Sequence, residues 1–317
     1  MTPLALTVDL GGTKIAATAV DATGALVLPK VKVPTPAHDG ADAILDAMAR
    51  AIDSCRDRVD HESVSALGIG AAGAIDVERG VVVSATDTVT GWRGADLVGG
   101  LRARLPWASD LPIHVQNDVD AHAVGECWRG AGASASSMLM LAVGTGIGAA
   151  FCRDGEVMRG AHHMAGEVGS LLVDVVDGVA DSGRHPFEYV AAGPAILRTY
   201  RALGGTADAR RGQDVMALAR AGDEVADRVV RTLGRRVGRV LAWLTLILDP
   251  AVIVLGGGVP TSASPWWSSM EDELRTGVPE VLGHVPVRRA TQRNNAALLG
   301  AARDAFRLAG VPTTDEE

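Results

Sequence analysis

Apolar residues recur along this chain with two different periods. Leu4–Asp9 and Ile15–Val20 are runs of Leu, Ile, Val, Ala and Thr, joined through Gly11-Gly12 and closed by Asp21-Ala22-Thr23-Gly24. Runs of this kind, punctuated by glycine and Asp/Thr, predict two strands and a tight turn. Ala41–Val59 changes period: Ile44, Met48, Ile52 and Val59 fall near a helical repeat and predict an amphipathic helix. Val64–Ile69 reads as a buried strand, and Asp76-Val77-Glu78-Arg79-Gly80 as a hairpin turn leading into Val81-Val82-Val83. Farther along, Pro194–Leu203, Gln213–Arg220 and Asp223–Leu248 read as helices. Val252–Leu255 reads as a buried strand running into Gly256-Gly257-Gly258, and Ala296–Leu308 as a closing helix.

The opening pattern has an echo. Leu6–Gly24 and Met138–Gly155 each read strand, Gly/Thr turn, strand, Asp/Gly turn. With Gly12-Thr13 set on Gly144-Thr145, Ile15 falls on Ile147 and Ala17 on Ala149. A repeat that opens each half of a chain predicts a duplicated α/β domain with a cleft between the copies. The matching residues are common ones, so the echo draws its weight from the motifs around it.

Size and charge narrow the picture. A chain of 317 residues, 47% hydrophobic, fits two domains at ~100–200 residues each. A net charge of −8 repels nucleic-acid phosphates and argues against such a partner. Cys55, Cys127 and Cys152 are sparse and form no C-x-x-C pair, which suggests reduced thiols. Met1-Thr2-Pro3-Leu4 shows no leader pattern, and the apolar stretch Val240–Leu248 is cut by Asp249-Pro250, short of the roughly 18 residues of a membrane span. The expectation is a cytoplasmic protein with no membrane partner.

Several short segments carry candidate chemistry, each with a plainer reading beside it. In Asp9-Leu10-Gly11-Gly12-Thr13-Lys14 the adjacent glycines let backbone N–H groups approach phosphate oxygens. Thr13 and Lys14 add a hydroxyl and a charge, and Asp9 is a candidate holder of hydrated Mg²⁺; the plain reading is an ordinary turn. Gly68-Ile69-Gly70-Ala71-Ala72-Gly73 has dinucleotide-fingerprint spacing, but Ala74–Gly80 after it predicts a turn and strand instead of a helix. That excludes the dehydrogenase reading and leaves a glycine-rich pocket wall as the expectation. Asn117-Asp118 at a strand-to-helix junction is either a helix cap or a general base with a sugar-binding neighbour, and Asp120 reads as a surface or capping residue. The loop Gly160–Ser170 contains His162-His163 without zinc-ligand spacing and presents Glu167. Trp266-Trp267 is either core or interface. No Walker, H-E-x-x-H, G-x-S-x-G or C-x-x-C motif occurs.

In order, D-L-G-G-T-K at 9–14, G-I-G-A-A-G at 68–73, N-D-V-D-A-H-A-V-G-E at 117–126, V-G-T-G-I-G at 143–148, A-G-E-V-G at 165–169, E-Y-V-A-A-G-P-A-I at 188–196 and V-L-G-G-G-V at 254–259 resemble the ROK (repressor, open reading frame, kinase) family nearly end to end. The resemblance implies an α/β, actin/hexokinase-like fold of two ribonuclease-H-like domains with an interdomain cleft. The expected division is 1–117, completed by the C-terminal helix 296–317, and 118–295. It implies ATP-dependent phosphorylation of a hexose or N-acetylhexosamine, with Mg²⁺, in a homodimer or homotetramer.

Residue by residue, the resemblance makes Asp118 the general base and places Gly73, Asn117, Glu167 and Glu188 at the sugar. Asp9, Gly11, Gly12, Thr13, Lys14, Gly144, Thr145 and Gly146 fall on the ATP phosphates, and Gly256, Gly257 and Gly258 on the adenosine. One departure stands out. Family kinases carry a histidine after A-G-E-x-G and a C-x-C-G-x-x-G-C-x-E segment that together bind a structural zinc. Here those positions hold Ser170 and Asp181-Ser182-Gly183-Arg184-His185-Pro186-Phe187-Glu188, so no zinc is expected. Phe187 packing and hydrogen bonds from His163 or His185 are the candidate substitutes. The departure also keeps open a second reading, a sugar-binding sensor of weak or no activity. A repressor would need a helix-turn-helix ahead of Asp9, and that position leaves no room for one.

Overall fold

The computed structural model describes residues 2–85, 89–176, 178–179, 183–260 and 265–314. Its contacts divide the chain into two compact units, one of Met1–Ser134, Gly155–Met164 and Thr291–Glu317, the other of Ala135–Asp154 and Ala165–Ala290. The first unit takes in the closing helix and runs on past residue 117. The reason is a helix pair: Asp118–Arg129 lies against Ala296–Leu308. Any side chain at Gly125 or Gly300 would strike the Ala296 or Ala121 carbonyl oxygen of the facing helix. Small residues bring the two backbones together, so Asp118–Arg129 packs within the first unit.

The first unit is built on a sheet whose strands lie in the order Val31–Pro34, Lys14–Asp21, Leu4–Leu10, Val64–Ala71, Ile113–Asn117. Leu4–Leu10 pairs antiparallel with Lys14–Asp21, the expected hairpin, and parallel with Val64–Ala71. Helix Ala41–Arg56 buries Ile44, Met48, Ile52 and Cys55 in that unit's core, a stripe at helical spacing. It ends before Val59, which packs against the same core through a turn.

The second unit repeats the plan. Its strands Ile147–Arg153, Ser137–Val143, Val252–Gly256 and Val287–Arg289 lie in that order, with the first pair an antiparallel hairpin and the rest parallel. The two hairpins differ by one residue in the turn: Leu10 pairs with Ile15, whereas Val143 pairs with Ile147. The long helix Glu224–Leu248 starts on Asp223, whose carboxylate accepts from Ala226 N at 2.8 Å. It stops at Asp249, left-handed at φ 44°, with Pro250 unable to continue the helix. Trp266 is fully buried in this unit's core and Trp267 packs beside it. Among the described residues no helix is long and apolar enough to cross a membrane.

Candidate active site

In the first unit the candidate residues gather at the carboxyl ends of three parallel strands. Leu10, Ala71 and Asn117 form one row across Leu4–Leu10, Val64–Ala71 and Ile113–Asn117, and Asp9, Gly70 and Gln116 form the row before it. At ~4.8 Å per strand, Asp9 lies about 10 Å from Gln116 along that row. This edge is where open α/β sheets expose backbone and loops to ligands.

Asn117 ends its strand and caps the helix that follows. Its Oδ1 accepts from Val119 N at 2.7 Å and Asp120 N at 3.1 Å, while its Nδ2 donates to Gly73 O at 2.9 Å. The capping function thus belongs to Asn117 and is tied to Gly73, a residue held at φ 99° that only glycine adopts readily. Asp118 is the first residue of the helix, half-buried, with Oδ1 accepting from Val119 N at 3.0 Å. Its carboxylate sits at the N-terminal end of the helix, the positive end of the helix dipole.

Asp9 is half-buried, and Gly12, Thr13 and Lys14 form an exposed turn beyond it. Burial pushes the Asp9 carboxyl above the ordinary range, against the opposing charges of Lys14 and Lys30. Its carboxylate offers hard oxygen donors of the kind that suit a hydrated Mg²⁺.

Two expectations about this unit change. Gly68-Ile69-Gly70-Ala71-Ala72-Gly73 is not a pocket wall along its length: a side chain at Gly68 would strike the Ala301 carbonyl of the closing helix, and one at Gly70 would crowd Ala121. These glycines serve packing. Nor is Asp120 a surface residue; it is 8% exposed and its Oδ2 lies 3.6 Å from Arg159 Nε.

In the second unit, Glu188 is the second residue of the short helix Phe187–Ala191, and its side chain lies against Gly146 and Gly169. Its Oε2 accepts from Ile147 N at 2.8 Å, so one oxygen is bound to the glycine turn. Glu167 lies close enough that its carboxyl is raised, first by partial burial and then by the charge of Glu188. In place of a cysteine segment, Leu172–Val175 pairs antiparallel with Gly183–Pro186, while Asp181 and Ser182 lie outside the described residues. Phe187 is fully buried and its N donates to Leu171 O at 2.8 Å. His185 stacks on Tyr189, and His163 belongs to the first unit, where its Nε2 lies 3.8 Å from Asp76. Among the described residues no three His, Cys, Asp or Glu side chains group as metal ligands.

The nucleotide candidates also converge. Gly256 ends the strand parallel to Ser137–Val143, and Gly257, at φ 87°, brings Val259 N to within 3.0 Å of Val143 O. Around them opens a cavity of about 500 Å³ lined by Gly144, Thr145, Leu197, Arg211, Gln213 and Gly258. The N-termini of helices Gly193–Ala202 and Gly212–Arg220 reach it through Gly193 and Gly212. Converging helix N-termini favour phosphate-bearing ligands. Leu197, Arg211 and Gln213 carry no motif, and only their position at the start of predicted helices hints at them.

Comparison with known proteins fits this arrangement. The family model described as "ROK family" matches residues 5–305. A glucokinase of Streptomyces coelicolor is 36% identical over 273 residues, covering 81% of this chain and 82% of that protein. The crystal structure of a ROK family glucokinase from Streptomyces griseus, in complex with glucose and AMPPNP, superposes with a TM-score of 0.79 at 32% identity, covering 96% of this chain and 99% of that one. A ROK hexokinase from Thermus thermophilus gives 0.77 at 33% identity, covering 97% and 98%. With a duplicated glycine hairpin, the Asn117-Asp118 junction and a match over nearly its whole length, the chain belongs to the ROK family.

Proposed function

We propose that this sugar kinase transfers the γ-phosphoryl group of ATP to the primary hydroxyl of a hexose, with Asp118 as the general base. The observation that carries the reading is the division of labour at the strand-to-helix junction: Asn117 caps the helix, and Asp118 follows on its first turn. The plain reading of the pair as a cap is accounted for by Asn117, and Asp118 is placed at the carboxyl edge of the parallel strands. The close glucokinase relative favours a hexose over an N-acetylhexosamine.

A sugar hydroxyl is a poor nucleophile at neutral pH. Asp118 accepts its proton as the oxygen bonds to the γ-phosphorus and the bond to the bridging oxygen of ADP breaks; a positioned base contributes typically ~10²–10⁴-fold. Gly73 and Asn117 orient the sugar, as do Glu167 and the remaining oxygen of Glu188. Lys14 and the backbone N–H groups of Gly11–Thr13 and Gly144–Gly146 offset phosphate charge. Asp9 would hold the Mg²⁺ that accompanies ATP, an ion that would supply charge neutralisation at the phosphates. The cavity beside Gly144 and Gly258 takes the nucleotide. Buried Phe187 and the paired strands Leu172–Val175 and Gly183–Pro186 hold Glu188 where family kinases use a zinc-bound segment. Metal analysis checks this last point: stoichiometric zinc in the purified protein contradicts it.

An ADP-release assay across glucose, mannose, fructose, allose, N-acetylglucosamine and N-acetylmannosamine tests the function. Sugar-dependent turnover, highest with a hexose, is expected. Sugar binding without turnover on any of them overturns the kinase reading in favour of a sensor.

A further inference from the structure

Away from the reacting groups, the first unit holds a chain of largely buried ionisable groups that the reaction above does not use. Arg159 Nη2 donates to Gln116 Oε1 at 2.7 Å and to Asp304 Oδ2 at 3.2 Å, and its Nε lies 3.6 Å from Asp120 Oδ2. Behind Asp304, His114 Nε2 stands at 3.5 Å. The side chains of Asp120, Asp304 and His114 are 11%, 13% and 12% exposed, and that of Arg159 is 24% exposed.

The partners come from three elements. Gln116 lies on strand Ile113–Asn117, Asp120 on the first turn of helix Asp118–Arg129, and Asp304 on the closing helix Ala296–Leu308. Gln116 and Asp120 are the residues two before and two after Asp118. One guanidinium therefore grips both sides of the proposed base and fastens them to a third element.

We infer that Arg159 is a positioning residue for Asp118, fixing the junction that presents the carboxylate by clamping Gln116 and Asp120 against Asp304. The physics suits this role better than a role in net stability. Burying an ion pair gives back much of its Coulomb energy as desolvation, so such networks add little to folding while defining one geometry. A planar fork reaches several acceptors at fixed angles, which a lysine ammonium does not. Burial would raise the Asp304 carboxyl, yet the contact with His114 and the charges of Arg159 and Arg303 hold it below the usual range, as expected of a carboxylate that is part of a permanent clamp. A shift of the base by about 1 Å costs on the order of 10²-fold in rate, so a clamp here acts on turnover before it acts on binding.

The inference rests on Asp118 being the base, and steady-state kinetics on four folded proteins separate the two claims. Arg159→Met is expected to lower kcat by about 10–100-fold, with KM for sugar and ATP within about twofold of wild type. Arg159→Lys, keeping the charge without the fork, is expected to recover part of kcat. Asp118→Asn is expected to lose turnover, and Arg159→Met added to it is expected to lower kcat no further, because there is no base left to position. Should Arg159→Met fail to fold, Asp120→Asn cuts the helix side of the clamp with the same expectation.

An unchanged kcat in Arg159→Met, or in Asp120→Asn if that stands in for it, overturns the inference while leaving Asp118 as base. So does a full additional loss when the mutation is added to Asp118→Asn. Near-normal turnover of Asp118→Asn alone overturns the reading of the base itself.

Discussion

The chain carries one glycine hairpin twice, and the two copies differ in what surrounds the turn. In the first, Asp9 is the next-to-last residue of the incoming strand and Lys14 starts the outgoing one, with Gly12, Thr13 and Lys14 exposed. Under the alignment that sets Gly12 on Gly144, Asp9 falls on Leu141 and Lys14 on Gly146, so the second copy has no charge at either place. Its turn is instead flanked by other chain segments: Gly193 N donates to Gly144 O at 2.8 Å, and Glu188 lies against Gly146. The same backbone frame thus offers charge in one unit, and space with backbone hydrogen bonds in the other. A turn that needs side-chain charge stays open, and a turn that supplies only backbone can be packed around.

Mutations that exchange these properties break or sharpen the comparison. The largest effect is expected at the charged turn, where Asp9→Asn lowers turnover by about 10–100-fold, as losses around a metal site do. The same change has the opposite effect on stability. Burial raises the folded-state Asp9 carboxyl, so stability falls as pH rises from the ordinary carboxylate value through the raised one and then levels off. Without nucleotide, Asp9→Asn is therefore expected to melt above wild type at neutral pH, the gap closing as pH falls through that window. Equal melting at all pH values would contradict the assignment of a strained charge.

Next comes the packed turn. A side chain at Gly146 meets Glu188 Oε2, so Gly146→Ala displaces the carboxylate and is expected to cost about 1–3 kcal/mol of stability together with sugar affinity. Denaturant unfolding and KM for sugar read both. Lys14→Met is expected to raise KM for ATP roughly fivefold, from loss of about 1 kcal/mol of screened attraction to phosphate, with no change in melting. If Lys14→Met and Gly146→Ala gave the same pattern, the contrast between the hairpins would fall. Smallest is Glu188→Gln: its amide oxygen still accepts from Ile147 N, so thermal melting stays close to wild type, while Glu188→Ala leaves that N–H unpaired and costs about 1–3 kcal/mol.

Much of the frame is legible in sequence because burial imposes a local period. The two hairpins, the stripe Ile44, Met48, Ile52 and the closing helix all stand where their patterns place them. What sequence hides depends on distant partners. The spacing of Gly68, Gly70 and Gly73 matches a nucleotide fingerprint, but the contacts that require glycine at Gly68 and Gly70 come from the closing helix and from Ala121. Asp120 looks like a surface acid until Arg159 is folded against it, and Arg159 meets Asp304 across 145 residues. The cavity beside Gly144 shows the same limit: Gly144 and Gly258 belong to motifs, whereas Leu197, Arg211 and Gln213 are recognised only by where their helices begin.

The central claim is that Asp118 takes the proton of the sugar hydroxyl. Turnover and sugar binding measured on the same preparation of Asp118→Asn test it most directly. The account predicts native melting and sugar binding with kcat lowered by ~10²–10⁴-fold, the contribution of a positioned base. Turnover within a few-fold of wild type would contradict it.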